Sequence, residues 1–178
     1  MNVLIFGAQG SGKSTHAQYI AAKLGIKYIP TGILLREIEQ ENSALGKYVK
    51  ETLAKGELVK DEIMWEVIGK QIKGSSGFIL DGYPRNFNQV NDLEKESIRI
   101  DLIILTTLDE KVAIRRLLAR IRSDDTKEAI KKRLEIYAES TTPIIDYYRN
   151  LGIKYLEIDN RPPIGQVQRE IDDLLKNR

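Results

Sequence analysis

The chain contains no cysteine, which removes disulfides and every thiolate metal site from consideration. A single histidine, His16, excludes a histidine-rich metal centre. The formal net charge of +2 gives no general drive toward nucleic acid or anionic lipid, so any basic function must be local. No apolar run approaches the roughly 20 residues that span a bilayer. The opening "MNVLIFGAQG" is interrupted by glycine too soon to read as a signal peptide. There is no basic stripe interleaved with aromatics, so a nucleic-acid partner is not expected. What remains is a soluble cytoplasmic protein of 178 residues, long enough for one domain (1–178) with a small inserted flap. It is expected to be a monomer or a small homo-oligomer.

Short apolar runs alternate with helical periodicity. "NVLIF" (2–6), "GFILD" (77–81) and "IDLIILTTL" (100–108) have the near-continuous hydrophobicity of strands buried on both faces of a parallel sheet. "IKYIP" (26–30) and "IKYLEID" (153–159) read as two further strands. Helices are expected over 13–24, ended by Gly25, then 61–73, 86–96, 109–121, 124–149 with a kink at Pro143, and 163–176. Two short helices are expected between Thr31 and Ala54, the second capped by Ser43. This alternation predicts an α/β fold, with helices on both faces of a parallel sheet of about five strands. Residues 30–60 form an excursion between strands, hence the flap.

"GAQGSGKS" (7–14) fits G-x-x-x-x-G-K-[ST] at every defined place, directly after a buried strand and opening a helix. Its glycines let backbone N–H groups wrap phosphate oxygens, and the helix N-terminus adds favourable partial charge. Lys13 places a cation between the β- and γ-phosphates, and Ser14 approaches magnesium. "FILD" delivers Asp81 to the carboxyl end of its strand, where ligands of open α/β sheets bind. An aspartate at a strand end is commonly a helix cap. Beside a phosphate loop, a carboxylate holding a magnesium-bound water is the preferred reading.

A phosphate loop is shared by switch proteins, helicases and kinases, so the second substrate must be found elsewhere. "RRLLARIRSDD" (115–125) packs four arginines into eight positions and follows them with two aspartates. Alone, an arginine-rich helix end is commonly just solvated. Phosphoryl transfer, however, needs two polyanions held in line with their charge neutralised. Arginine suits that task, because its planar fork grips phosphate bidentately and keeps its proton. Arg116 and Arg120 share one helix face. Asp124 and Asp125 are expected to begin the next helix and tether neighbouring arginines.

"DGYPRNFNQ" (81–89) resembles the D-G-[FY]-P-R-x-x-x-Q signature of adenylate kinases, which transfer phosphate from ATP to AMP. "TGILLR" (31–36), "GELVKDE" (56–62) and "RSDDTKEAIKKRLEIYAESTTPIIDYY" (122–148) resemble further stretches of that family in the same order. The resemblance implies a three-layer P-loop NTPase fold with a nucleoside-monophosphate flap, and ATP and AMP as substrates, giving ADP with Mg2+ as cofactor. It implies ATP contacts from Gly10, Ser11, Gly12, Lys13, Ser14 and Thr15, with Arg116 and Pro162 at the base. AMP contacts are implied for Thr31, Arg36, Glu57, Leu58, Val59, Gly82, Arg85 and Gln89. Lys13, Arg85, Arg120, Arg122 and Arg133 would gather around the transferring phosphoryl group, the last two also reaching AMP. Asp81 and Ser14 would hold the metal, partly through water.

The chain departs from the family pattern in three places. Gln9 and Ser14 stand where the family's phosphate loop has proline and glycine, which removes no backbone donor. Ile33 replaces a flap aspartate that organises water around magnesium. Only Ile121 separates Arg120 from Arg122, where family members place a lid, so the lid is reduced to residues 120–123. Weaker ATP closure, or cover from another subunit, is the expected consequence. Two rivals are weighed. A UMP/CMP kinase shares the "PRN" and "RSDD" features, but such enzymes tend to have alanine at the place of Thr31 and asparagine at that of Gln89. A nucleotide-binding interaction protein without turnover would have no need to keep Lys13, Asp81, Arg85, Arg120, Arg122 and Arg133.

Overall fold

A computed structural model describes residues 1–119, 122 and 124–176. Five strands, β1 (Asn2–Phe6), β2 (Lys27–Pro30), β3 (Phe78–Asp81), β4 (Leu102–Thr107) and β5 (Lys154–Asp159), form one parallel sheet in the order β2-β3-β1-β4-β5. β1 runs at its centre, with β3 on one side and β4 on the other, so the strand order reverses there. A crevice opens at such a switch point, beyond the carboxyl ends of the strands.

The apolar runs are explained by burial from both sides. Val3 and Ile5 of β1, with Ile79, Leu102 and Ile104, pack on Ala17 and Ile20 of α1 (Lys13–Leu24) and on Val167 and Ile171 of α9 (Ile164–Lys176). Leu4 and Phe6 point the other way, as alternation along a strand requires. With Leu80 and Ile103 they meet Met64 and Ile68 of α4 (Asp61–Ile72), Val90 and Leu93 of α5 (Phe87–Lys95), and Ile144 and Tyr148 of α8 (Thr142–Asn150). Each fully buried Leu or Ile contributes about 1.5–3 kcal/mol of apolar burial. The three layers are thereby fixed.

The flap consists of α2 (Thr31–Glu39) and α3 (Ala44–Ala54), joined by a turn in which Ser43 Oγ accepts the Gly46 N–H at 2.9 Å. Leu35 and Val49 carry the apolar core up into it. α6 (Glu110–Ala119) and α7 (Lys127–Ile136) follow β4.

Two local expectations need correction. The helix expected over 124–149 is broken differently from a proline kink: a π-helical turn, Tyr137–Thr141, separates α7 from α8, and Pro143 sits in the first turn of α8. Proline has no N–H to return to the preceding turn. The backbone widens just before it instead, with Thr142 N–H reaching Tyr137 O and the Thr142 hydroxyl bonding the same carbonyl at 3.0 Å. Nor do the aspartates open α7. Thr126 caps it, accepting the Ala129 N–H at 3.1 Å, because both aspartates are engaged by arginines.

Candidate active site

At the carboxyl edge of the sheet a cleft of about 340 Å³ opens between the phosphate loop, the flap and the start of α7. The phosphate loop turns sharply because Gly10 and Gly12 adopt φ of 84° and 87°, where L side chains are strained. A side chain on Gly10 would meet Ala113 O, and one on Gly12 would collide with the Asn160 amide. The loop delivers Lys13, Ser14 and Thr15 to the cleft at the N-terminus of α1. Ser11 is buried behind the loop.

Asp81 ends β3 nearly buried, at 5% exposure. The Tyr28 hydroxyl donates to its Oδ2 at 3.0 Å, and Ser14 lies close enough to influence the phenol. Burial, with the nearby Asp81 charge, pushes the Tyr28 phenol far above its ordinary value, so it remains a donor. Thr31, opening the flap, donates to Asp81 O at 2.8 Å. Sequence reasoning missed Tyr28. Its signal was a polar aromatic on β2, the strand paired with β3.

Every residue expected at the acceptor nucleotide lines the same cleft: Thr31, Arg36, Glu57, Leu58, Val59, Gly82, Arg85, Gln89, Arg122 and Arg133. Their electrostatics differ. Arg133, 8% exposed, is held by Asp124 at 2.7 Å, Asp125 at 2.9 Å and Leu53 O at 2.9 Å. Arg36 Nη2 reaches the same Asp124 carboxylate at 3.1 Å. Asp124 therefore ties α2 of the flap to α7. Burial alone would raise its carboxyl, but Arg36 and Arg133 outweigh burial and hold it below the ordinary range.

That depressed value has a sign. The tether contributes stability above the unfolded carboxyl's value of 3.8 and loses it as pH falls through the lower folded value. Asp124→Asn is expected to cost about 1–3 kcal/mol at neutral pH, since Arg133 keeps Asp125. In denaturant titrations the gap from wild type closes on acidification below about pH 4. A gap independent of pH would contradict this reading of the tether.

Arg85 is different. Among the described residues its side-chain bond is Nε–H to Gly82 O at 2.8 Å, with no carboxylate at ion-pair distance. Burial pushes its guanidinium down from the ordinary value; Asp81 opposes, and the charges of Arg133 and Arg36 add to the depression. Arginine does not give up its proton, so this cation is poised to gain from an arriving anion. Gln89, 2% exposed, is aligned beneath it. Its Oε1 accepts the Arg85 N–H at 2.7 Å, and its Nε2 donates to Asp61 at 2.7 Å. Asp61 was not anticipated as its anchor.

On the other side of the phosphate loop, exposed Arg116 and half-buried Pro162 line a second cavity that also reaches Gly10, Gly12 and Thr15. These are the two residues expected at the donor base. Arg120 lies outside the described residues. Among the described residues no group of three or more His, Cys, Asp and Glu side chains gathers into a metal-binding cluster. None of their helices is long and apolar enough to cross a membrane.

Known proteins resemble this arrangement over most of its length. A family model described as adenylate kinase matches residues 5–153. The adenylate kinase of Prochlorococcus marinus strain MIT 9515 is 41% identical over 164 residues, covering 89% of this chain and 90% of its own. That of Prochlorococcus marinus strain MIT 9211 is 42% identical over 157 residues, covering 85% and 84%. That of Thermococcus kodakarensis is 35% identical over 211 residues, covering 98% and 94%. The last alignment exceeds the 178 residues of this chain, so that relative carries segments absent here. The matched span runs from the centre of the sheet through both walls of the cleft, and the chain belongs to the adenylate kinase family.

Proposed function

We propose that this enzyme transfers a phosphoryl group reversibly from magnesium-ATP to AMP, giving two ADP, in the cytoplasm, by clamping both nucleotides between cations contributed from separate segments of the fold. The observation that carries this reading is Arg85: a half-buried arginine with no carboxylate partner among the described residues, in the same cleft as Lys13. A phosphate-bearing acceptor supplies the missing counter-charge.

In this reading the donor lies over the phosphate loop, with its base between Arg116 and Pro162. Backbone N–H groups from Gly10 to Thr15 and the Lys13 ammonium hold the β- and γ-phosphates. AMP enters under the flap. Its phosphate meets Arg85 and Arg36, while Glu57, Leu58 and Val59 flank the base and Gly82 lets the chain approach closely. With one lone pair of Gln89 Oε1 and one N–H of Nε2 already committed, a second of each remains. Together they match the amino N–H and ring acceptor of adenine's edge. UMP would present the reverse pattern, a carbonyl and a ring N–H. Cytosine offers the same pair from a smaller ring, which would reach this anchored amide less well, and every relative named above is an adenylate kinase.

The transferring group passes through a loose transition state whose charge is spread over its equatorial oxygens. Lys13, Arg122, Arg133 and, by resemblance, Arg120 surround that position. Asp81 and Ser14, with Tyr28 between them, fit a magnesium ion that brings most of its own shell. Mg2+ keeps several waters and needs only one or two carboxylates beside substrate phosphates. Bound with ATP, it neutralises charge on the β- and γ-oxygens.

Only seven residues of sequence lie between Ala119 and Lys127, too few for a lid domain. We therefore propose that closure over the donor is incomplete. A coupled assay of ADP formation with ATP, magnesium and each of AMP, CMP and UMP tests both readings. AMP should be used at least tenfold more efficiently than the pyrimidine nucleotides, and ATP without acceptor should be hydrolysed faster than by a relative with a full lid. Preference for CMP would overturn the acceptor assignment. Hydrolysis no faster than that relative's would overturn the open-lid proposal.

A further inference from the structure

Beneath the donor cavity lies a pair of buried polar residues, 144 positions apart in sequence, that the reaction scheme above does not use. His16 is 1% exposed and Asn160 7%, and His16 Nε2 lies 2.8 Å from Asn160 Oδ1. Asn160 Nδ2 donates to Ser11 O at 2.6 Å, and the Asn160 backbone N–H donates to Thr107 O at 2.9 Å. The first of these bonds fixes the amide orientation: its N–H₂ faces the phosphate loop and its oxygen faces His16. The histidine must therefore carry its hydrogen on Nε2. Its Nδ1 is then a bare acceptor, buried with no partner.

We propose that His16 and Asn160 act together as positioning residues that set the separation between the phosphate loop and the β5–α9 turn, and so govern affinity for the donor nucleotide. The proposal rests on the reading of the Arg116–Pro162 cavity as the donor-base site. Asn160 is two residues before Pro162, and its side chain fills the space left open by Gly12. A triphosphate nucleotide touches both places at once, the phosphates at Gly12 and the base at Pro162. Slack between them would have to be removed on binding, at a loss of affinity. The strut removes it beforehand, joining the end of β4, the phosphate loop and α1 through three hydrogen bonds. Simple space filling would not call for this chemistry, because apolar side chains of the same volume need no buried partners.

The strut touches the donor half only, and this separates positioning from general stability. His16→Ala and Asn160→Ala are each expected to weaken binding of the β,γ-imido analogue of ATP about tenfold, the scale of one buried hydrogen bond. AMP affinity should change less than twofold. The double variant should be no weaker than either single one. His16→Gln, which again offers an N–H to Asn160 Oδ1, should recover most of the loss. Titration calorimetry on the full chain reads all of these, with thermal unfolding alongside and Lys13→Ala as control. If Asn160→Ala does not fold, the His16→Ala and His16→Gln comparison decides alone. Equal losses for the ATP analogue and AMP, or failure of His16→Gln to recover affinity, would overturn the positioning role. So would unchanged analogue affinity in both single variants while Lys13→Ala abolishes binding. Unchanged affinity in Lys13→Ala itself would overturn the donor-site reading beneath it.

Discussion

Arg85→Ala is expected to lower kcat/KM for AMP by about 10³–10⁵, the range found when a phosphate-gripping arginine is removed from a phosphoryl-transfer site. The argument is electrostatic. Arg36 and Arg133 share Asp124, and Arg133 has Asp125 as well, so much of their charge is answered before any ligand arrives. Among the described residues the Arg85 side chain has only a carbonyl, at 2.8 Å on Nε. Its attraction for an incoming phosphate is therefore undiluted, and its loss leaves the acceptor anion facing Asp81 with Arg36, whose charge Asp124 already shares, in its place. Arg85→Lys should recover little, because an ammonium cannot reproduce the fork that grips two phosphate oxygens. Steady-state kinetics with AMP varied checks this. A loss below tenfold would mean that the acceptor phosphate sits elsewhere.

Lys13→Ala is expected to lower turnover by about 10³ or more and to weaken ATP binding, with AMP binding little changed. The phosphate loop's geometry comes from Gly10 and Gly12 and from the strand and helix on either side, none of which depends on the lysine. The variant should fold as wild type does. Its defect should lie in the charge delivered between the β- and γ-phosphates, where negative charge grows toward the transition state. Stopped-flow turnover and thermal unfolding, measured together, check it. A folded variant retaining more than a tenth of wild-type turnover would remove Lys13 from the mechanism.

The elements most legible in the sequence are those whose signal is local. "NVLIF" then "GAQGSGKS" specify strand, turn and helix within 24 residues, and α1 ends at Leu24 with Gly25 in the left-handed conformation beyond it. Ser43 and the apolar strands are of the same kind. The acceptor wall was legible through the family resemblance, since nothing in the spacing of Arg36, Arg85 and Arg133 alone says that they converge.

What stayed hidden depends on contacts between distant segments. Asn160 reads as an ordinary turn residue after β5 until its amide is seen on Ser11. His16 reads as a helix residue until the same amide reaches it. Tyr28 lies on a short strand whose neighbour is set only when β2 pairs with β3. Asp124 and Asp125 carried a partial signal. Their role as tethers was anticipated, but a helix-opening role competed with it. The competition was settled by Thr126, which caps α7 and leaves the carboxylates to the arginines.

The central claim is that one cleft holds two mutually repelling nucleotides end to end. Two adenosines joined through a chain of five phosphates would occupy both halves at once. In calorimetric competition the account predicts one such molecule bound per chain, displacing both the ATP analogue and AMP, with affinity well above either and sharply reduced in Arg85→Ala. Displacement of only one of the two nucleotides, or binding indifferent to Arg85, would contradict it.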